Sequence, residues 1–489
     1  PTGLLTPAQK GKPNIIVVVM DDMRVEGIMD HPDVMPKMKQ WLVQGGSTFP
    51  QGVATTPLCC PERASIWSGR LSHNTGVFNN DTSEQPLGSE PAGTGDELDK
   101  EWIIPRYLND AGYHTGLVGK FITNWKFRYD IPHFNDYAAF QGGYTEGVSF
   151  RVKDPGEATY HSENVSDPED SVSDNSTDYI GQKVNEFIDA YEGNDAQPWY
   201  LHVTPHAPHD DTTEPFFKWP ARHNDVDVPP FVPTPANTVE GVKAEKADKV
   251  PDLRGHTLDP AEATLYHDGM LKTLLAADEM IDSVMKNLEA KGELDNTLVI
   301  FTSDNGFSWG ERGVNSKGWP YREHISVPFL VRWPGVVPAG VVDQRAVGGE
   351  DILPTLLDAA QYTPPTKGYE FDGESFLPGH AGRPYKYLEF GPKPGPAPEG
   401  YTGNHKGIPT WAAMRATTWH YIEYYDETDN STITFREYYD LTTDPWELQN
   451  LLAANDPGGV ANDPDVAGLS AELQRLRSCS GTTGANPCP

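Results

Sequence analysis

Two pairs of oxygen-bearing side chains stand at points in the sequence where they could bind a metal ion. Asp21 and Asp22 follow an apolar run, and Asp304 and Asn305 follow another. Carboxylate and amide oxygens are hard ligands, which suit calcium or magnesium better than soft metals. The sequence therefore predicts one divalent ion among these four side chains, with calcium ahead of magnesium.

A further stretch, Cys59-Cys60-Pro61-Glu62-Arg63, combines two thiols with a residue of fixed positive charge. A helix that begins near Pro61 turns successive side chains about 100° apart, so only one thiol can face a common pocket. The start of such a helix would also direct free backbone amides and its positive dipole end at an anion. The alternative is a buried thiol pair, because free cysteine packs as a small apolar residue.

Two histidines, His206 and His209, complete the set of candidate groups. They follow an apolar run, as the two oxygen-bearing pairs do. A histidine within reach of a leaving alcohol can protonate it. A His-x-x-His loop is also common as a purely structural feature, so its function depends on where the fold places it.

The runs that precede these groups are typical of strands in a parallel sheet. Residues 15–20 form a β-branched run, the pattern of a strand buried on both faces. Similar runs lie at 115–119, 199–204, 298–303 and 328–333, with helical patterns at 176–191, 260–291 and 351–360. This alternation predicts an α/β fold with a mostly parallel sheet flanked by helices. Ligands of such sheets bind at the carboxyl ends of the strands, where the candidate groups stand.

Three stretches have few periodic apolar residues. Residues 126–175 and 206–259 are rich in Asp, Pro, Gly and Ser, and 383–410 is rich in Pro and Gly. Long irregular segments inside a compact domain are usually binding loops or lids. We therefore predict two functional loops and, at 383–410, a linker.

The C-terminal part of the chain has a different pattern. Residues 412–425 and 432–441 alternate like antiparallel strands, and 463–477 has the period of a helix. We therefore predict a main domain over 13–390 and a smaller α+β subdomain over 405–489.

Charge and hydrophobicity exclude several classes of function. The chain of 489 residues carries a net charge of −33, a field that repels nucleic acid and anionic membranes. No apolar run approaches the roughly 18 residues that would indicate a membrane span. We therefore expect neither a nucleic-acid partner nor a membrane-spanning segment.

The two C-terminal cysteines indicate the cellular compartment in which the protein matures. Cys479 and Cys488 bracket a short loop, and a disulfide between them would hold the tail of the chain. The alternative is two free thiols. A bond would place maturation in an oxidising compartment, which predicts a secreted or periplasmic protein.

The stretch from Cys59 to Arg63, followed by Ser68-Gly69, resembles the signature of the sulfatase family, Cys-x-Pro-x-Arg, then four residues, then Ser or Thr and Gly. In that family a formylglycine-generating enzyme converts the cysteine to formylglycine, whose hydrated aldehyde attacks the sulfur of the ester. The resemblance implies that Cys59 is converted and that Cys60, one step off the spacing, is not. It also implies the alkaline-phosphatase-like fold of that superfamily.

Further matches follow in order along almost the whole chain. Segments that resemble family motifs lie at 12–22, 113–120, 205–209, 303–306, 317–321 and 437–451. The segment 55–58, with 73–77 after the signature, is most similar to one branch of the family. That branch contains the N-acetylglucosamine-6-sulfatases and the heparan sulfate 6-O-endosulfatases.

The resemblance implies a role for each candidate residue. The implied metal ligands are Asp21, Asp22, Cys59, Asp304 and Asn305, and the implied catalytic residues are Cys59, Arg63, Lys120, His206 and Lys317. Lys120, Lys317, His206 and His209 are also expected to contact the substrate, and His209 is a nearby alternative to His206 as general acid. Cations of this kind offset the negative charge with which a sulfate ester repels a nucleophile.

Three positions depart from the family pattern. Ile122 stands where many arylsulfatases have histidine, Ser308 lies in a stretch where another histidine is common, and Glu62 replaces a small residue.

The expected function is hydrolysis of a sulfated carbohydrate or of a small aryl or alkyl sulfate. The enzymatic alternative is a phosphodiester or phosphonate monoester hydrolase, because such enzymes share the signature and bind a tetrahedral anion. A protein that binds sulfated glycans without catalysis is the alternative if Cys59 is not converted.

Overall fold

The structure, a computed structural model, describes residues 4–80, 100–122, 125, 130–140, 148–165, 175–193, 197–211, 215–240, 246–365, 370–396, 405–452 and 464–489. The helices are α1 Pro7–Lys10, α2 Pro36–Met38, α3 Cys59–Ser68, α4 Ser72–Thr75, α5 Ile104–Asp110, α6 Ser176–Glu192, α7 Pro235–Thr238, α8 Pro260–Lys291, α9 Arg322–Ile325, α10 Ile352–Ala359 and α11 Val466–Leu476. A π-helical turn, Lys39–Val43, continues α2, and 3-10 turns lie at Lys100–Trp102, Ala221–His223, Pro251–Leu253, Glu311–Gly313, Gly349–Asp351 and His405–Gly407.

The strands are β1 Asn14–Met20, β2 Ser47–Thr48, β3 Gly52–Val53, β4 His114–Lys120, β5 Asp136–Phe140, β6 Val148–Lys153, β7 His161–Val165, β8 Trp199–Thr204, β9 Thr297–Ser303, β10 Leu330–Arg332, β11 Val341–Val342, β12 Val347–Gly348, β13 Lys386–Phe390, β14 Thr410–Arg415, β15 Trp419–Tyr425 and β16 Ile433–Asp440. Ten of them form one sheet in the order β11-β2-β10-β9-β1-β8-β4-β5-β6-β7. The five strands from β9 to β5 run parallel. Strand β1 lies among them with every residue buried, as its apolar composition requires. The predicted α/β fold with a mostly parallel sheet is confirmed.

Helices cover both faces of this sheet. On one face α3, α5 and α10 contribute Trp67, Tyr107 and Leu353 to one apolar cluster. On the other face α6 and α8 contribute Ile180 and Leu274 to a second cluster. Because both faces are covered, a ligand reaches the sheet at the ends of its strands. Within the described ranges, every helix is too short or too polar to span a bilayer.

The two predicted loops differ in outcome. Strands β5, β6 and β7 lie within 126–175, so the prediction of an irregular segment is wrong there. β6 and β7 extend the sheet by antiparallel pairing, and the exposed, polar edge strand β7 lacks the apolar alternation that would have revealed it. Residues 206–259 contain only short helical turns among the residues described, as an irregular loop requires.

The C-terminal part forms its own antiparallel sheet, in the order β13-β14-β15-β16, with α11 following it. Strand β13 lies inside the stretch 383–410 that was predicted to be a linker, so that prediction is wrong for Lys386–Phe390. The smaller sheet therefore begins before residue 405. The tail is closed by a disulfide between Cys479 and Cys488, as predicted.

Candidate active site

The carboxyl ends of the neighbouring strands β1 and β9 bring four side chains together. Asp22 has a left-handed backbone, with φ 69°, and its N–H donates to Asp304 Oδ1 over 3.1 Å. Asn305 Nδ2 donates to Asp22 Oδ1 over 2.6 Å. Asp21 is fully buried beside them. The fold thus places the four oxygen-bearing residues at one point of the sheet edge.

Cys59 faces this point from the first turn of α3. Its Sγ lies 2.9 Å from Lys317 Nζ and 3.6 Å from Asp21 Oδ1, and the residue is only 2% exposed. Cys60, by contrast, belongs to the apolar cluster that contains Trp67. One thiol therefore faces the charged groups and the other packs in the core, as a turn of about 100° per residue requires.

The backbone at the start of α3 offers less to an anion than expected. The N–H of Cys60 donates to Asn80 Oδ1 over 3.0 Å, and Pro61 has no N–H. The prediction of free amides is therefore wrong at these two positions. Attraction for an anion must come mainly from side-chain cations.

Three buried cations supply that attraction. Arg63 Nε lies 2.8 Å from Asp304 Oδ2, Lys120 Nζ lies 2.5 Å from Asp21 Oδ2, and Lys317 Nζ bonds Asp22 Oδ1. Burial disfavours a charged ammonium group, but the carboxylates outweigh it and raise the pKa of both Lys120 and Lys317. Both lysines are therefore charged at neutral pH.

The two histidines approach the same carboxylates from the loop after β8. His206 Nδ1 lies 3.5 Å from Asp21 Oδ2, and His209 Nε2 lies 3.5 Å from Asp22 Oδ2. The carbonyl of Asp210 accepts from His209 Nδ1 at 2.7 Å and from His206 Nε2 at 3.3 Å. Burial lowers the pKa of His206, whereas Asp22 outweighs burial at His209 and raises its pKa. His209 therefore holds its proton more strongly than His206 does.

The donor set at this point fits a hard divalent cation. Ligand atoms of Asp21, Asp22, Cys59 and His209 all lie within 4.8 Å of one another. Asn305 Oδ1 is buried and has no hydrogen-bond partner among the described residues. An unpartnered buried oxygen beside two carboxylates is the arrangement that a calcium or magnesium ion satisfies.

Two candidate residues differ from the sequence expectation. Asp304 is not part of the group of ligand atoms within 4.8 Å of one another, and its Oδ2 accepts from Arg63 while its Oδ1 accepts from the N–H of Asp22. His209, expected to contact substrate, lies inside the cluster of metal-type ligands. The path of the loop after β8 decides this, and residue type alone carries no signal of it. The Asp210 carbonyl that holds both histidines was missed for the same reason.

Glu62, noted as a departure from the family pattern, has a structural function in this site. Its Oε2 accepts from the N–H of Thr56 at 3.0 Å and from Thr55 Oγ1 at 3.1 Å. Burial raises the pKa of its carboxyl well above the usual range. Glu62 therefore reaches back from α3 and holds the segment that leads into Cys59.

The other two departures lie in packed surroundings. Ile122 belongs to the apolar cluster on the α3 face of the sheet. Ser308 is buried, and its hydroxyl bonds the carbonyls of Val314 and Ser316 at 2.8 and 3.1 Å. Neither residue therefore takes the place of the histidine that the resemblance led us to expect.

Comparison with known proteins agrees with this geometry. A family model described as Sulfatase matches residues 13–362, and a second, described as N-sulphoglucosamine sulphohydrolase, C-terminal, matches residues 310–477. An arylsulfatase of Volvox carteri is 29% identical over 99% of this chain and 77% of its own length. An N-acetylglucosamine-6-sulfatase of Capra hircus is 28% identical over 98% of this chain and 86% of its own.

Solved structures resemble the fold over nearly the whole chain. One was solved in complex with its substrate D-glucosamine-2-N,6-O-disulfate and matches with a TM-score of 0.72 and 21% identity, covering 96% of this chain and 97% of that one. A phosphonate monoester hydrolase from Silicibacter pomeroyi matches with a TM-score of 0.69 and 21% identity, covering 95% of each chain.

Proposed function

The chain belongs to the sulfatase family and is a sulfuric ester hydrolase, and from this premise we propose that it removes sulfate from a sulfated carbohydrate. The proposal extends to the nucleophile, a formylglycine made from Cys59 by a formylglycine-generating enzyme. It also extends to a divalent metal, calcium before magnesium, beside that residue.

The observation that carries the proposal is the setting of Cys59. Its Sγ lies 2.9 Å from Lys317 Nζ and 3.6 Å from Asp21 Oδ1. Arg63 and Lys120 bind the same carboxylate, that of Asp21. A sulfate group that approaches Cys59 meets these cations, which offset the charge that repels a nucleophile. The hydrated aldehyde would supply the hydroxyl that attacks sulfur.

Asp21, Asp22, Asn305 and, in this geometry, His209 would hold the metal. When bound, a divalent ion polarises the sulfate and the nucleophile. His206 is the proposed general acid for the leaving alcohol. Its Nδ1 lies 3.5 Å from Asp21, the carboxylate that Cys59 also contacts.

The carbohydrate assignment rests on the relatives. The Capra hircus protein is named for N-acetylglucosamine 6-sulfate, and the glucosamine disulfate structure shares the fold. The phosphonate monoester hydrolase is the observation that favours a second candidate function, hydrolysis of phosphate or phosphonate esters. Rates on matched sulfate and phosphate esters of one alcohol separate the two, and we expect the sulfate ester to react faster.

We propose a secreted or periplasmic location. The disulfide between Cys479 and Cys488 supports it, because such bonds persist in oxidising compartments. A relative in Drosophila melanogaster is named as an extracellular sulfatase, although this chain spans only 31% of its length.

A matched pair of variants tests the nucleophile. Cys59→Ala is expected to abolish turnover while the fold and calcium binding persist, because the core contacts of α3 are unchanged. Cys60→Ala, the control, is expected to keep most activity, since Cys60 packs away from the charged groups. Peptide mass analysis of active enzyme should find an aldehyde at position 59 and a thiol at position 60. Turnover by Cys59→Ala at the unmodified rate would contradict the mechanism.

A further inference from the structure

A cavity of about 370 Å³ opens at the same edge of the sheet as the candidate active site. Its walls come from the segment after Asp22, the segment after Asn305, the Pro-rich loop 229–235 and α8. The lining residues that matter here are Arg24, Glu26, Phe231, His267, Trp309 and Trp446. None of the residues assigned to sulfate hydrolysis is among those that line it.

Aromatic rings form the fixed part of the cavity. Trp309 is only 3% exposed, with the Arg24 guanidinium 4.3 Å above its ring and the His267 ring 4.8 Å from it. Phe231 packs on His267 at 5.3 Å from the loop side. Aromatic walls with a few placed polar groups are typical of small-molecule sites, and they suit the apolar C–H face of a sugar ring.

A buried carboxylate supplies the polar group. Glu26 is 6% exposed, and its Oε1 accepts from Arg322 Nε over 2.7 Å. Its Oε2 has no hydrogen-bond partner among the described residues. A buried oxygen without a donor is costly, so a ligand hydroxyl that donates to it would be favoured.

Among the described residues that line the cavity, the buried cation is already paired and offers little to a sulfate group. Arg24 is the buried cation of the lining, and Glu311 already binds it through both carboxylate oxygens, at 2.8 and 3.2 Å. The carboxylate of Glu26 is paired with Arg322, and exposed Asp30 lies at the rim. A sulfate group would therefore lose its hydration here without gaining a free cation, whereas a ring that carries only hydroxyl or acetamido groups would not.

We propose that this cavity binds an unsulfated pyranose unit of an oligosaccharide substrate. The inference deepens the proposed function and rests on a carbohydrate being the substrate. The protein would then hydrolyse a sulfated ring within an oligosaccharide more efficiently than the same ring alone.

The cavity and the candidate active site are built on the same two segments of the chain. Arg24 lies two residues after Asp22 and donates to the carbonyl of Phe307, two residues after Asn305. Tyr266, the neighbour of His267 on α8, stacks on Phe307 with a centroid distance of 5.2 Å. A sugar chain that leaves the sulfate site along these segments would meet the cavity.

Binding to the inactive Cys59→Ala protein tests the cavity without turnover. The probes are unsulfated tetrasaccharides of N-acetylglucosamine, glucose and galactose, followed by tryptophan fluorescence and saturation-transfer NMR. We expect at least one to bind with a dissociation constant of about 1 mM or tighter. Phe231→Ala and Trp446→Ala should weaken that binding about tenfold or more, and Trp219→Ala, an aromatic outside the cavity, should not. Absence of binding by all three probes, or binding insensitive to both variants, would overturn the inference.

Kinetics with converted enzyme separate this inference from the proposed function. The ratio of kcat/KM for a sulfated ring extended by unsulfated rings to that for the ring alone should fall about tenfold in Phe231→Ala. Hydrolysis with an unchanged ratio would overturn the proposal that the cavity binds a sugar unit, and it would leave the proposed function unaffected. Tetrasaccharide binding without hydrolysis of any sulfate ester would overturn the proposed function instead.

Discussion

Lys317 is the cation that joins the two halves of the candidate active site. Its ammonium group bonds Asp22 and lies 2.9 Å from Cys59 Sγ. Asp22 in turn accepts from Asn305 and lies near His209. The ammonium group of Lys317 therefore contacts both the proposed nucleophile and a proposed metal ligand. Its removal should affect the nucleophile and the metal site together.

Glu62 offers a prediction at the same scale. Burial raises the pKa of this carboxyl and disfavours its charged form, and Gln keeps a carbonyl oxygen that can accept from Thr56 and Thr55. Glu62→Gln should therefore stay within about 1 kcal/mol of the unmodified protein in urea unfolding and keep most activity. Glu62→Ala should lose about 2–4 kcal/mol, because the N–H of Thr56 and the hydroxyl of Thr55 lose their acceptor. If Glu62→Gln were as damaging as Glu62→Ala, an ionised carboxylate would be required instead.

Much of this site could be predicted from residue type and spacing. Asp21, Asp22 and Asn305 were expected at strand ends, and the thiols were expected to diverge on a helix. The contact of His209 with Asp22 could not be predicted, because it depends on how the loop after β8 returns to the sheet. The capture of Asp304 by Arg63 has the same origin, since it depends on the relative placement of α3 and β9.

At the scale of elements, a buried ion pair joins three segments that are distant in sequence. His73 in α4 bonds Glu389 in β13 through Nδ1 at 2.9 Å, and its Nε2 lies 2.8 Å from the carbonyl of Cys479. Both ring nitrogens therefore face acceptors. Burial opposes the charge, but Glu389 outweighs it and raises the pKa of His73, while His73 lowers the pKa of Glu389.

This pair predicts a pH dependence of stability. The raised pKa of His73 gives stability that is fully present below its unfolded pKa of 6.5 and is lost as pH rises through the folded value. The lowered pKa of Glu389 gives stability that is present above 4.5 and is lost as pH falls through the folded value. The pair therefore stabilises most between these limits. In urea unfolding, His73→Gln should cost about 3–5 kcal/mol near pH 5.5 and less near pH 8.5.

The matched control is His380→Gln. His380 forms a surface pair with Asp358 at 3.1 Å and is 43% exposed, so its loss should cost less than about 1 kcal/mol. An equal cost of His73→Gln at both pH values would show that packing, and not the charge of His73, stabilises the junction.

The elements themselves were predictable where apolar runs were long. Strand β1 and helix α8 follow such runs closely. Strand β7 and strand β13 were not predicted, because β7 is polar and exposed and β13 is a short run inside a Pro- and Gly-rich stretch. Pairing with neighbouring strands, a tertiary effect, stabilises both.

At the scale of the whole molecule, we propose that the chain works as two parts, with the second beginning at β13 and not at residue 405. The buried side chain of Arg312 connects them. Arg312 pairs with Glu323 and, through Nε at 3.0 Å, with Glu240, and it donates to the carbonyl of Trp446 over 2.6 Å. Separation of the parts would take the carbonyl of Trp446 away from the buried guanidinium of Arg312, so this hydrogen bond opposes separation.

The total charge has a consequence for long substrates. The chain carries 71 acidic and 38 basic residues, a net charge of −33, while the candidate site presents Arg63, Lys120 and Lys317. A sulfated polysaccharide is a polyanion and meets the field of the whole protein before it meets these cations. A monosulfated sugar meets mainly the local cations.

Ionic strength should therefore act more strongly on long substrates than on short ones. Between about 10 mM and about 150 mM salt the Debye length falls from about 30 Å to about 8 Å, which screens the long-range repulsion but leaves contacts inside the buried site largely intact. We expect kcat/KM on a sulfated polysaccharide to rise severalfold over this range, and kcat/KM on a monosulfated sugar to change less than about twofold. Steady-state kinetics at saturating calcium, repeated with sodium and potassium salts, measure both. A polysaccharide rate that falls as salt is added would show that the cations beside Cys59, and not the net charge, control the approach of the substrate.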